Sequence, residues 1–149
     1  MSFSHIDESG KAKMVDVSQK QPLKRTAVAY GSITMDLATI KKIQDNAIKK
    51  GDVLAVAKIA AIMAAKNTAQ LIPLCHNLSL DSVDMQFEFS DHGIGITSQV
   101  SCVQKTGVEM EALVAVSIAC LTIYDMCKAV DKKMSISDIH LVDKRKEPL

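Results

Sequence analysis

The stretch LDSVDMQFEFSDHGIGITSQVSC, residues 80–102, decides the fold. Leu80–Phe89 and Ile94–Cys102 are two runs that alternate apolar and polar residues, the period of a half-buried strand. Ser90-Asp91-His92-Gly93 joins them as a hairpin, because short polar residues and glycine adopt the backbone angles of a tight reversal. The apolar phase slips between Leu80 and Val83, which predicts a β-bulge. A helix flanks the hairpin on each side. Upstream, residues 52–67 (DVLAVAKIAAIMAAKN) follow Lys50-Gly51, take Asp52 as N-cap and are apolar almost all round, with Lys58 the main interior polar residue. Downstream, the Thr106-Gly107 turn leads into a long helix from Val108 to Val130.

Farther out, Arg25–Met35 alternates again. Ala27, Ala29, Gly31, Ile33 and Met35 share one face, and Thr26, Val28, Tyr30, Ser32 and Thr34 the other, so this is the first strand. Asp36 is placed to cap a short helix to Ala47 that carries Leu37, Ile40 and Ile43 at helical spacing. Met134–Val142 is the last strand, with a phase slip at Ser137-Asp138. The order β-α-β-β-α-β with one extra short helix predicts an α+β fold of the ferredoxin-like, split βαβ type, an antiparallel sheet with helices on one face. Residues 1–22 read as an extended N-terminal arm, 23–144 as the domain and 145–149 as a C-terminal tail. Helices 52–67 and 108–130 both lack a full polar face, and the missing cover is expected from another subunit.

The 149 residues suit a single domain. With 18 basic and 17 acidic residues the net charge is +1, which gives no field for nucleic acid or anionic membranes. Aromatic residues make up 3% of the chain, too few for base stacking, so no nucleic-acid partner is expected. The opening MSFSHIDESGKAKM has no apolar core of a secretory signal. The longest nearly apolar run, Ala112–Tyr124, has 13 residues against the roughly 20 needed to span a bilayer, so a soluble, cytoplasmic protein without a membrane partner is expected. Cys75, Cys102, Cys120 and Cys127 show no C-x-x-C and no zinc spacing, which predicts free thiols and no metal site.

General motifs carry nothing: Lys105-Thr106-Gly107 has no S-x-x-K companion, and Gly93-Ile94-Gly95 lacks the third glycine of a dinucleotide loop. What remains is a set of polar residues at the ends of apolar elements. Cys75-His76 follows a proline break, where loops deliver site residues; a buried thiol beside a hydrogen-bonded loop histidine fits equally well. Glu109 and Glu111 open the long helix, where the helix dipole favours carboxylates with or without a function. Asp125 and Lys128 share a helix face at i,i+3 after an apolar run, which predicts a half-buried pair whose desolvation moves the lysine toward the catalytic range. Lys50 and Lys105 stand near two helix starts, a pattern that suits a phosphate-bearing ligand.

Met14–Ser18, Lys50–Val53, Leu71–His76, Lys105–Leu113 and Leu121–Val130 together resemble the cyclic pyranopterin monophosphate synthase family of molybdenum cofactor biosynthesis, over residues 5 to 144. The resemblance implies a ferredoxin-like fold, a homohexamer built as a trimer of dimers with sites at subunit interfaces, and rearrangement of 3′,8-cyclo-7,8-dihydro-GTP to cyclic pyranopterin monophosphate with release of pyrophosphate. It makes Asp125 and Lys128 the central catalytic pair, with Lys50, His76 and Glu111 beside them. Leu74, Cys75, His76, Met110 and Glu111 become substrate contacts, joined by Arg25, Glu109 and Lys144. Two departures stand out: Asn77 where the family commonly has proline, and Lys144-Arg145-Lys146-Glu147 where it often continues Lys-Ser-Gly-Gly.

The chemistry agrees. Rebuilding a purine-derived ring needs several proton transfers in one pocket, and expelling pyrophosphate needs cations on the leaving group. No cofactor is expected, and Mg2+ can arrive with the triphosphate. Glu111 and Asp125 are 14 residues apart on one helix, about 21 Å at 1.5 Å per residue, so one site is expected to take them from different chains. The competing class is a non-catalytic ferredoxin-like regulatory domain that binds a small anionic metabolite at a subunit interface. Such a domain has no need of Asp125, Lys128, His76 and Glu111 as a set.

Overall fold

A computed structural model describes residues 3–149 of the chain. The elements run β1 (Leu23–Thr34), α1 (Leu37–Gln44), α2 (Val53–Lys66), α3 (Thr68–Leu71), β2 (Ser82–Phe89), β3 (Gly93–Gln104), α4 (Glu109–Cys127) and β4 (Ser135–Glu147). The sheet order is β2-β3-β1-β4, and every neighbouring pair is antiparallel. β3 fills the gap left by the β1-to-β2 crossover, and β1 fills the gap between β3 and β4. This is the split βαβ arrangement of an α+β, ferredoxin-like domain.

Alternation along β1 sends Ala27, Ala29, Gly31 and Ile33 into the core. From the other layer, Ala112, Ala115, Val116, Ala119, Cys120 and Ile123 of α4 are fully buried. Small residues on both sides let helix and strand approach closely: a Cβ on Gly31 would stand 3.5 Å from Cys120 Sγ and 3.6 Å from Val116 Cβ on α4, besides 3.2 Å from Ile139 Cγ1 on the neighbouring β4. Gly93, at the hairpin exit with φ +158°, is needed for a close approach between strands, since a Cβ there would strike the Ile33 carbonyl on β1. α4 is long and apolar enough to cross a membrane by length and composition, yet it packs on β1, β3, β4 and α2 as the core helix of the domain.

Several sequence expectations are corrected. β2 carries no bulge: its pairing with β3 is unbroken from Ser82↔Ser101 to Phe89↔Ile94. The phase slip at Leu80 reflects chain entering from the loop, held by Asp81 N–H donating to Ser101 O. β4 breaks register twice rather than once, opposite Val28/Ala29 and opposite Tyr30/Ser32, and Asp138 takes a left-handed φ of +63° at the second break. β4 also continues through Glu147, paired with Lys24, so residues 145–147 are strand. α1 and α4 stop three residues short of the expected Ala47 and Val130. Asp52 caps α2 by accepting from Ala55 N–H at 3.1 Å, whereas the Asp36 side chain makes no cap bond to α1.

The outer faces stay uncovered. Val56, Ile59 and Met63 on α2 and Leu121 on α4 are exposed. The arm before β1 folds back once through an isolated bridge between Ile6 and Ala12, around Asp7, whose Oδ1 accepts from Ser9 and Lys11.

Candidate active site

Asp125 lies in the last turn of α4, and Lys128 caps that helix one turn on, so the two side chains meet: Lys128 Nζ is 3.1 Å from Asp125 Oδ1. Lys50 arrives from the turn before α2. Its Nζ donates to Asp125 Oδ2 at 3.2 Å and to the Asp125 carbonyl at 3.0 Å, taking up an orphan acceptor of the helix end. The hydrogen bond from Lys128, then that from Lys50, and their charges hold the Asp125 carboxyl below its ordinary range. The half-buried pair expected from the apolar run is corrected: Asp125 is 59% exposed and Lys128 55%, because the run packs inward and this turn projects past the core. The desolvation that expectation required is not supplied by this chain.

A second group gathers at the opposite end of α4. Leu74, Cys75, His76 and Leu78 from the loop before β2 face Thr106, Gly107, Glu109, Met110 and Glu111 across a cavity of about 160 Å³, with His5 of the arm at its edge. His76 Nε2 sits 2.5 Å from the Val15 carbonyl. A carbonyl only accepts, so Nε2 carries a proton, and the arm fixes the ring orientation. Glu111 is 4% exposed, so it is no helix-start ornament. Burial, supported by the Glu109 charge, pushes its carboxyl above the ordinary range. Burial and then the Glu111 charge push the Cys75 thiol up as well, which disfavours its thiolate form.

A third group continues from the second through Gly107 and Glu109. Arg25, Thr26, Val108, Lys144, Arg145 and Lys146 join them around a cavity of about 240 Å³. Arg25 is anchored on β1 by donating to the carbonyls of Gln104 and Lys105, at 3.4 and 3.2 Å. Lys144 Nζ is 3.9 Å from Glu109 Oε1, so the strand that replaces the glycine-rich continuation keeps this lysine beside Arg25 and Glu109. Residues 14–147 match the MoaC family.

The chain belongs to this family.

A cyclic pyranopterin monophosphate synthase of Thermoanaerobacter sp. is 55% identical over 146 residues, 97% of this chain and 92% of that protein. One from Heliobacterium modesticaldum is 57% identical over 144 residues, 95% of this chain and 91% of that protein. The molybdenum cofactor biosynthesis bifunctional protein of Chlorobaculum tepidum is 56% identical over 141 residues, which cover 95% of this chain and 45% of that larger protein.

The fold of this family member thus divides the sequence-predicted residues in two. Lys50, Asp125 and Lys128 meet at one end of α4; Leu74, Cys75, His76, Met110, Glu111, Glu109, Arg25 and Lys144 line two joined cavities at the other. The ends are about 21 Å apart along the helix, beyond the reach of one compact ring system. Sequence reasoning did not single out Arg145, Lys146 or His5. The basic run is visible in the sequence, where it reads as a tail, and only the extension of β4 turns it toward Arg25. His5 left no periodic signal. Among the described residues no three His, Cys, Asp or Glu side chains converge as a metal-ligand set.

Proposed function

We propose that the chain is a lyase, a cyclic pyranopterin monophosphate synthase, that converts 3′,8-cyclo-7,8-dihydro-GTP to cyclic pyranopterin monophosphate and pyrophosphate. Each site combines Lys50, Asp125 and Lys128 of one subunit with the His76, Glu111, Arg25 and Lys144 group of another. The assembly is a homohexamer, a trimer of dimers, and it works in the cytoplasm. The observation that carries this reading is the division of the polar groups into two incomplete sets at opposite ends of one continuous helix. Exposed Val56, Ile59, Met63 and Leu121 supply the apolar faces that such an assembly covers.

Each set has a role suited to its chemistry. Arg25, Lys144, Arg145 and Lys146 form a cationic cavity that fits the phosphate chain and offsets charge on the departing pyrophosphate. A ribose hydroxyl attacks the α-phosphorus, loses its proton and displaces pyrophosphate, which closes the cyclic phosphate. Asp125 between two lysines, and His76 with its orientation set by the arm, provide acids and bases for the proton transfers that rebuild the ring. Covering the exposed Asp125 set with a second subunit and substrate excludes water and strengthens its electrostatics. We assign the chain no resident metal; Mg2+ can arrive with the triphosphate.

Complementation tests it. Asp125→Ala and Glu111→Gln chains are each expected to be inactive alone in a pyrophosphate-release assay. Co-assembled, they should regain turnover, because random pairing leaves about one site in four with both sets intact. Mixed oligomers as inactive as their parents would refute the shared site.

A further inference from the structure

The catalytic cluster around Asp125 depends on a lysine delivered by a separate element, and the structure contains a connection that holds that element in place. α1 is an eight-residue helix, too short to hold its own position, and its expected cap residue Asp36 makes no side-chain bond. The missing acceptor comes from the far end of the chain. Asp131 Oδ2 accepts from the Asp36 N–H at 2.9 Å and from the Thr39 hydroxyl at 2.9 Å, while Oδ1 accepts from the Lys133 N–H at 2.9 Å. Asp131 is 3% exposed and Thr39 3%, so these bonds are shielded from water. Asp131 belongs to the turn that carries Lys128: its own N–H donates to the Cys127 carbonyl, closing the last turn of α4.

The same segment returns to α4 at its other end. From α1 the chain passes through a tightly bonded turn, with Asp45 and Ala47 N–H donating to the Lys41 and Lys42 carbonyls and Gly51 N–H to Ile48 O. Ile48 is anchored in the core, and two residues later Lys50 reaches Asp125. Residues 36–50 are therefore pinned to the end of α4 twice, by the Asp131 carboxylate and by the Lys50 ammonium.

We infer that Asp131, through Thr39 and the start of α1, is a positioning residue that sets where Lys50 stands against Asp125 and Lys128. Neither Asp131 nor Thr39 touches the reacting groups. They fix the frame from which Lys50 projects, and displacement of such a frame by about 1 Å costs turnover on the order of 10- to 100-fold. The inference rests on the reading of Lys50, Asp125 and Lys128 as reacting residues.

The test uses the full-length protein and the pyrophosphate-release assay. Thr39→Val keeps the shape of the side chain and removes one donor, Thr39→Ser keeps the donor, and Asp131→Asn leaves one amide group facing a donor it cannot accept from. We expect Thr39→Val to lower kcat about tenfold with KM little changed at a temperature where the variant is fully folded. Thr39→Ser should restore kcat, and Asp131→Asn should lower it further. A Thr39→Val enzyme that loses several degrees of Tm but keeps wild-type kcat makes the connection purely structural and overturns the inference. Lys50→Ala is measured alongside: near wild-type turnover there refutes the reading of the cluster itself, whereas loss of turnover in Lys50→Ala with none in Thr39→Val or Asp131→Asn refutes the positioning role alone.

Discussion

Ile59→Asp tests the uncovered face of α2. Ile59 is 60% exposed and Met63 58%, and they lie four residues apart on one helical stripe with Val56. Full burial of an isoleucine is worth about 1.5–3 kcal/mol, so covering the exposed part of Ile59 by a second subunit contributes about 1–2 kcal/mol per contact. A carboxylate in its place loses that contribution and adds an unpaired buried charge, a penalty of several kcal/mol. Together these weaken association by at least about 4 kcal/mol, a thousandfold. The isolated subunit should be unharmed, because Ile59 faces away from the sheet and aspartate differs little from isoleucine in helix propensity. Light scattering at micromolar protein, with far-ultraviolet circular dichroism as the folding control, is expected to show folded smaller species without pyrophosphate release. A variant of wild-type mass and turnover would refute the argument that this stripe is an interface on which the site depends.

Three further outcomes follow from the site. Asp125→Ala should reduce kcat by at least about 100-fold while fold and assembly persist, since the side chain fills no core space and its ion pairs with Lys50 and Lys128 are solvent-exposed; near-normal turnover of the purified variant would make Asp125 structural. Lys128→Arg keeps a cation beside Asp125 but cannot release a proton at working pH, so kcat is expected to fall on the order of 100-fold with KM changed much less, and an Arg variant at wild-type rate would remove the proton-transfer role. Glu111→Gln addresses stability. Burial raises the Glu111 carboxyl above its ordinary 4.5, so the folded chain holds a proton that the unfolded chain has released, and stability falls as pH rises from about 4.5 through the raised value. In thermal melts across that window Glu111→Gln should show a shallower decline and a higher Tm at neutral pH, and identical slopes for both proteins would contradict the burial argument.

The features legible in advance were those encoded by near neighbours. Alternation in Arg25–Met35 predicted which face of β1 enters the core, because successive side chains on a strand must point to opposite sides. The i,i+3 spacing of Asp125 and Lys128 predicted their contact, because the helix itself brings such residues together. The apolar character of α2 and α4 signalled two layers and apolar residues left over on the outer face, where Val56, Ile59, Met63 and Leu121 are exposed. The missed boundaries have the same origin: Leu80 is apolar yet lies outside β2, and nothing local distinguishes a loop residue packed on the core from a strand residue.

Tertiary structure decided what depends on distant partners. Lys50 meets Asp125 across 75 positions, Thr39 meets Asp131 across 92, and Arg25 lies beside Lys144 because β4 pairs with β1 to its last residues. Burial is likewise a property of the assembled layers. Two carboxylates on the same helix, Glu111 and Asp125, differ in charge environment because one faces the core beside Cys75 and the other projects past it between two lysines. Sequence by itself determined the four strands and the three longer helices, their order and the stock of reactive groups, but not the single turn α3, because dihedral preference and side-chain period act over a few residues. Which groups share a site, and which are shielded from water, was decided by strand register and helix packing, whose energies arise only when remote segments are brought together.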